Sequence, residues 1–256
     1  MKIIALGTGT SQGIPLIGCK CPVCLSADPS DKRLRSSIYI ESDQTKLLID
    51  IGPDFRQQFL DNKITSVDHV LITHEHNDHM IGLDDIRPIN FIQNKSIPVY
   101  ASERVCTEIR NRFGYIFSSN PHPGLPQVNL QKISDKPFTI KDLHITPINV
   151  MHGRLPIWGF RINNMAYITD ASEITDTEME KLKKLDVLII NALRHEKHFS
   201  HFTLKESLEV VKKLRPKKAY LTHISHLMGL NADWEATLPH SVSSLKDRMI
   251  IHVDKF

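Results

Sequence analysis

The sequence lacks a long hydrophobic run and any strong excess of one charge. None of its apolar stretches approaches the roughly 18 residues that cross a membrane, and the first stretch, residues 2–6, is too short for a signal peptide. Lysine and arginine number 32 and aspartate and glutamate 29, giving a net charge of +3. This near-equal number of positive and negative side chains argues against a protein whose main task is to bind nucleic acid by neutralising its phosphates. We expect a cytoplasmic protein that contacts no membrane.

The remaining composition is that of an ordinary globular protein. Hydrophobic residues make up 41% of the 256 residues and charged residues 24%, which excludes a disordered chain. The length fits one domain spanning residues 1–256. Whether two copies form a homodimer is left open by the sequence.

Short runs of β-branched residues alternate with helical patterns along the chain. Strands are predicted at 2–6, 37–40, 46–51, 70–73, 143–150, 157–162, 165–169, 187–190 and 219–222. Helices are predicted from His79 toward Arg87 with an end near Pro88, and at 102–112, 179–185 and 208–214. Paired strands followed by alternating strands and helices predict an α/β layered domain of mixed sheets covered by helices. Residues 113–137 are predicted to be a long irregular segment that forms an ordered lid.

Residues 70–79 run from a buried strand directly into His74, His76, Asp78 and His79. Four ligand-type side chains at a strand end can converge on metal, whereas a solvated loop needs no such order of side chains. Imidazole and carboxylate together suit zinc, manganese or iron, and one such motif can supply two metals. Three more candidate ligands also follow apolar strands: His152, Asp170 and His223. Each alone is weak support for a metal site, but together they repeat the arrangement of a His or Asp at the end of an apolar strand.

Three of the four cysteines, Cys19, Cys21 and Cys24, lie within six residues. A disulfide between the first two needs difficult local geometry, and a reducing compartment disfavours any bridge. Three thiolates this close are typical of metal ligands. Cys106, alone in a helical pattern, fits a packing residue.

These motifs resemble the metallo-β-lactamase superfamily over nearly the whole chain. The resemblance implies an αβ/βα four-layer sandwich of two mixed sheets flanked by helices. It also implies that His74, His76 and His152 hold one divalent metal and Asp78, His79 and His223 the other, with Asp170 bridging them. Asp50 matches an early aspartate that supports the site without ligating.

Within the superfamily, residues 7–15, the cysteine segment and the His-Ile-Ser-His run at 223–226 look like PhnP-type phosphodiesterases. That resemblance implies a structural zinc held by Cys19, Cys21, Cys24 and His226, a closed set with no open position for substrate. It implies hydrolysis of a small cyclic phosphodiester, similar to 5-phosphoribosyl 1,2-cyclic phosphate, by a hydroxide between two active-site metals, zinc or manganese. Asp78 and His201 are the implied catalytic residues, His201 as a phosphate contact or general acid.

Alternative functions remain open at this point. A tRNA 3′-end nuclease shares the metal ligands but relies on a long basic arm, and residues 113–137 carry only two lysines, so nucleic acid is disfavoured as a partner. A non-catalytic scaffold stabilised by zinc, similar to PQQ-biosynthesis proteins, is a second alternative. Such scaffolds can lose active-site ligands, whereas all seven candidate ligands are present in this sequence, which favours catalysis. Thioester or β-lactam hydrolysis also stays open because fold does not fix function. The roles of His195 and His198 are unassigned.

Overall fold

The computed structural model describes residues 1–118, 122 and 124–253. Its strands are β1 (Lys2–Gly7), β2 (Ser37–Glu41), β3 (Lys46–Ile49), β4 (His69–Leu71), β5 (Ile97–Ala101), β6 (Val128–Lys132), β7 (Phe138–Ile140), β8 (Leu143–His152), β9 (Leu155–Ile162), β10 (Met165–Ile168), β11 (Glu173–Ile174), β12 (Val187–Asn191), β13 (Lys218–Thr222), β14 (Val242–Ser244) and β15 (Ile250–His252). Its α-helices are α1 (Pro22–Leu25), α2 (Phe55–Asp61), α3 (Asn77–Met80), α4 (Arg87–Gln93), α5 (Glu103–Arg112), α6 (Asp176–Lys181), α7 (Leu204–Leu214) and α8 (Asn231–Glu235).

Both sheets are mixed, as the sequence predicted. The first has the strand order β15-β1-β2-β3-β4-β5-β6, antiparallel from β15 to β3 and parallel from β3 to β6. The second has the order β11-β8-β9-β10-β12-β13-β14, with β7 paired to β8. Hairpins join β8, β9 and β10, whereas β10, β12, β13 and β14 run parallel to one another. The predicted α/β architecture is confirmed.

Alternation of side chains along the strands divides the apolar core into three layers. Ile3 and Ile38 of the first sheet pack with Phe160 and Tyr167 of the second, between the two sheets. The opposite face of the first sheet packs against α2 and α5, and that of the second against α7. Because each sheet buries both faces, helices must cover the outer ones, which produces four layers.

The predicted helix signals are mostly confirmed. Thr203 and Glu206 form a reciprocal capping box at the start of α7. The expectation of a helix end near Pro88 was wrong, because Pro88 lies in the first turn of α4, where its missing N–H costs no hydrogen bond. None of the described helices, between residues 1 and 118 or 124 and 253, has the length and apolar character to cross a bilayer.

Residues 113–137 are less irregular than predicted. Gly114–Phe117 form a 3₁₀ turn and β6 extends the first sheet along β5, so its backbone donors and acceptors pair in the sheet. Residues 119–121 and 123 of the predicted lid lie outside the described residues. The lid itself stays a prediction.

Candidate active site

Ligand-type side chains follow the carboxyl ends of strands from both sheets. His74 and His76 follow β4, His152 ends β8, and Asp170 and His223 follow β10 and β13. The two sheets place these strand ends at one shared edge of the sandwich, and the side chains converge there. The sequence predicted this convergence.

The first ligand group consists of His74, His76 and His152. Their ligand nitrogens all lie within 4.8 Å of one another, and His74 Nε2 is 3.0 Å from His76 Nδ1. Two nitrogens that bind one cation at about 2.0–2.1 Å lie roughly 3.0–3.4 Å apart. The geometry therefore fits one cation shared by three imidazoles.

The second ligand group surrounds Asp170. His79 Nε2 lies 3.1 Å from Asp78 Oδ2 and 3.2 Å from Asp170 Oδ2. The other oxygen of Asp170, Oδ1, lies 3.3 Å from His223 Nε2. Asp170 also forms a compact group with His74 and His79. It thus lies between the two groups, at the position of the implied bridging ligand.

Hydrogen bonds determine which nitrogen of each ligand histidine faces the site. Nδ1 has a partner in four of them: His74 with Thr73 Oγ1 at 2.9 Å, His79 with Asp50 Oδ2 at 2.7 Å, His152 with the Ser200 carbonyl at 2.8 Å, and His223 with Ser36 Oγ at 3.2 Å. Asp50 and the Ser200 carbonyl can only accept, and both hydroxyls already donate elsewhere, to Asp50 and to the Gly9 carbonyl. Nδ1–H therefore donates in each pair, and Nε2 is the nitrogen that faces the site and can bind a cation.

The electrostatics of the second group favour a cation. Burial alone would raise the pKa of Asp170, but His223 and His79 lower it well below its usual value. Burial alone would lower the pKa of His79, yet Asp78 and Asp170 raise it well above 6.5. Nε2 of His79 is buried without an aligned hydrogen bond, although both carboxylates lie within 3.2 Å. These atoms are arranged as ligands around a common centre, and imidazole with carboxylate suits zinc or manganese.

His201 lies beside both ligand groups. Its ring is 4.8 Å from that of His223 at an interplanar angle of 23°, and 4.6 Å from that of His152. Its Nδ1 is buried without a hydrogen-bond partner, 3.8 Å from Asp170 Oδ1. Burial and the neighbouring His223 lower the pKa of His201 to about 3. The ring is therefore neutral near pH 7, which disfavours the imidazolium form of a general acid.

Three residues of the site occupy the left-handed backbone region. Asp50, Asp170 and His223, each within two residues of a strand end, have φ values of 64°, 59° and 57°. This conformation costs an L-residue about 1–2 kcal/mol. It turns the chain sharply where the strand ends, so that the side chain points along the edge shared by the two sheets.

The predicted structural zinc ligands also come together. Cys19 Sγ and Cys21 Sγ lie 3.5 and 3.4 Å from His226 Nδ1, and Cys24 belongs to the same group. Ligands at about 2.0–2.3 Å from one tetrahedral zinc lie roughly 3.3–3.7 Å apart. The Cys24 N–H donates to Cys21 and, with His226, lowers the pKa of that thiol to about 6, whereas burial raises the pKa of Cys24 to about 11. A cation would hold both as thiolates.

Two arginines of α5 that sequence reasoning missed hold the segment between His74 and His79. Arg104 contacts both carboxylate oxygens of Glu75, at 2.8 and 3.1 Å, and donates to the Pro156 carbonyl at 2.7 Å. Arg112 donates to the Glu75 carbonyl and to Asn77 Oδ1. Arg104 therefore links the segment of His74 and His76 to the hairpin that follows His152. No local pattern in α5 signals this contact, because its partners lie 29 to 52 residues away.

The comparisons with known proteins agree with this geometry. Residues 45–224 match the family model of the beta-lactamase superfamily domain. A crystal structure described as a new diphosphatase from the PhnP family is 37% identical, covers 99% of this chain and 98% of its own, and superposes with a TM-score of 0.92. The chain is a PhnP-type member of the metallo-β-lactamase superfamily. This membership supports a metal-dependent hydrolase.

Two further relatives are similar to this chain, one in sequence and one in fold. A Porphyromonas gingivalis (strain W83) protein named octanoyltransferase is 43% identical over 258 residues, which cover all of this chain but 52% of the relative. The chain thus spans about half the length of this curated relative. The zinc-bound PqqB of Methylobacterium extorquens is 17% identical with a TM-score of 0.80 over 99% of this chain, a likeness of fold.

Proposed function

We propose that this chain hydrolyses the phosphodiester bond of a small cyclic phosphodiester of the 5-phosphoribosyl 1,2-cyclic phosphate type. The observation that carries the proposal is the juxtaposition of two complete ligand groups with the neutral, unpartnered imidazole of His201. Phosphoryl chemistry is also supported by the PhnP-family relative, which is described as a diphosphatase.

The residues of the site would have the following roles. His74, His76 and His152 would hold one divalent cation, and Asp78, His79 and His223 the other, with Asp170 contacting both. Zinc or manganese ions there would supply Lewis acidity toward phosphoryl oxygens and bring the pKa of water near 7. Asp50 and Thr73 keep the imidazoles in the tautomer that binds through Nε2, since they accept from Nδ1 of His79 and His74.

His201 would act on the substrate itself. Its unpartnered Nδ1 can offer an N–H to a phosphoryl oxygen or to the leaving oxygen. A hydrogen bond to the leaving oxygen stabilises the negative charge that develops on a ribose alkoxide, and removal of one positioned donor of this kind costs about 10²–10³ in kcat. Catalysis at neutral pH would use the neutral imidazole, because the pKa of His201 is about 3.

Replacement of His201 tests this role. His201→Ala should keep its cations and its fold but lose roughly 10²–10³ in turnover of an alkyl phosphodiester. A nitrophenyl diester, whose leaving group needs no proton, should lose far less. Equal losses on both substrates would assign His201 to phosphate binding, and no loss on either would remove it from the mechanism. His195→Ala, on the exposed part of the same loop, is the matched control.

A second candidate, acyl thioester hydrolysis, is favoured by the relative named octanoyltransferase. That name belongs to a protein about twice as long, so the activity can reside in its other half. Turnover of an octanoyl thioester and of phosphodiesters by the same cation-loaded sample separates the two candidates. Hydrolysis of the thioester alone would replace our proposal, and no hydrolysis of either would favour a non-catalytic scaffold.

We further propose a cytoplasmic location, zinc in the cysteine site and a small-molecule partner. Support comes from the cysteine trio grouped as metal ligands, which a reducing compartment preserves. Metal analysis of protein purified from its own cells would check the metals, and three ions per chain are expected.

A further inference from the structure

A row of flat rings leads from the buried ligand His223 to the protein surface. The ring of His201 is 4.8 Å from that of His223, that of His198 is 5.1 Å from His201, and that of Phe199 is 4.8 Å from His198. The first pair is stacked, at an interplanar angle of 23°, and the next two pairs are tilted, at 40° and 33°. The row ends at Phe199, which is 83% exposed.

The loop that carries the row is fixed against the hairpin of a metal ligand. Gly153, directly after His152, has a φ of 62°, and a Cβ there would lie 3.2 Å from Ser200 Cβ and 3.5 Å from the Phe199 ring. Ser200 also accepts the hydrogen bond from His152 Nδ1. The loop that carries Phe199 therefore lies against the hairpin that follows His152.

His198 adds a hydrogen-bond donor beside the exposed ring. Its Nδ1 accepts from the Ser200 backbone N–H at 3.3 Å, so the proton of the neutral ring is on Nε2. Nε2–H remains for a ligand. A flat apolar face with a donor at its edge is complementary to a planar, polar-edged ring, because stacking covers the face while the donor meets an acceptor.

We propose that His198 and Phe199 form a subsite for a planar heterocycle, the base of a nucleoside phosphoester, in the part of the substrate away from the reacting phosphoryl group. This rests on the proposed function for the phosphoryl end, and it extends the substrate class from a bare ribose phosphate to one that carries a base. An acyl chain is a poorer occupant, because it needs an apolar groove and Phe199 offers a single flat face.

Binding of two probes that differ only in the base tests the subsite. Cation-loaded protein should bind adenosine 5′-monophosphate about tenfold tighter than ribose 5-phosphate by calorimetry. Phe199→Ala and His198→Ala should abolish most of this preference, and Phe199→Tyr should retain it. Phe91→Ala, which removes a Phe that is 62% exposed on α4, is the matched control.

Turnover provides a second, independent measurement. Thymidine 5′-(p-nitrophenyl phosphate) and methyl p-nitrophenyl phosphate share leaving group and scissile bond. Phe199→Ala should raise KM about tenfold for the thymidine ester, with kcat unchanged and the methyl ester unaffected. A base preference in binding without phosphodiester turnover would support the subsite while refuting the proposed function.

Three results would overturn the subsite. The first is wild-type protein that does not distinguish the two binding probes. The second is a preference that survives Phe199→Ala. The third is loss of octanoate binding in Phe199→Ala with unchanged binding of adenosine 5′-monophosphate, which would assign the face to an acyl chain.

Discussion

Asp50 is the buried carboxylate on which the second ligand group depends, and Asp50→Asn tests that dependence. Three donors point at the carboxylate: His79 Nδ1 at 2.7 Å, the Thr73 N–H at 2.8 Å and Thr73 Oγ1 at 2.9 Å. Asparagine has nearly the same shape and tolerates the left-handed backbone at this position, where φ is 64°. The substitution therefore changes the donor pattern and the charge rather than the packing.

Neither orientation of the new amide satisfies all of these donors. If its NH₂ faces His79, the imidazole must accept at Nδ1 and carry its proton on Nε2, which removes the lone pair from the site. If its NH₂ faces Thr73, two N–H groups oppose each other in a buried position. The loss of a supporting partner of this kind costs about 10–100-fold in cation affinity, or roughly 1.4–2.7 kcal/mol.

Calorimetric titration of zinc or manganese into protein whose active-site cations alone have been removed measures this loss directly. Asp50→Asn should weaken one of the two active-site binding events about 10–100-fold and leave the zinc content of the cysteine site unchanged. Asp142→Asn, which removes an exposed carboxylate bonded to Ser42, is the matched control. Wild-type affinity at both active-site positions in Asp50→Asn would refute the role of Asp50.

Three further predictions address the other parts of the two metal centres. Cys21→Ser should remove about one zinc per chain and lower Tm while two other ions remain, because a structural metal contributes folding energy; an unchanged zinc content would contradict the cysteine site. Asp170→Ala should lose activity together with bound cations, and a variant with full metal content and normal turnover would exclude Asp170 from the site. Arg104→Ala should weaken cation binding by the three-histidine group several-fold with little change in Tm, whereas Arg110→Ala, exposed on the same helix, should not.

The convergence of the candidate ligands could be predicted from the sequence because most of them lie at or shortly after the end of a buried strand. An apolar run predicts a strand, and the His or Asp that follows it marks the end where a polar side chain leaves the core. Parallel strands bring such ends to one edge of a sheet. His74, Asp170 and His223 follow this rule, and the two sheets with their helices followed from the same runs.

The supporting contacts could not be predicted, since they join positions far apart in the sequence. Arg104 meets Glu75 across 29 residues, and Ser36 meets His223 across 187. The residues next to Arg104 and Ser36 in the sequence give no sign of these contacts. β6 was missed for a related reason: its sequence, Val-Asn-Leu-Gln-Lys, is half polar, and its pairing with β5 is supplied by the rest of the sheet. His198 was left unassigned because only the packing of its loop on Gly153 brings it beside His201.

The left-handed conformations of Asp50, Asp170 and His223 restrict how this edge of the sandwich can change. Glycine would relieve the backbone strain at each position, but it would also remove a buried side chain to which other groups are bonded. At Asp50 the change would leave His79 Nδ1 and the two Thr73 donors without their acceptor, at about 1–3 kcal/mol for each buried group. The strain is therefore smaller than the cost of relieving it by substitution, and a selection for heat resistance alone should leave Asp50 in place.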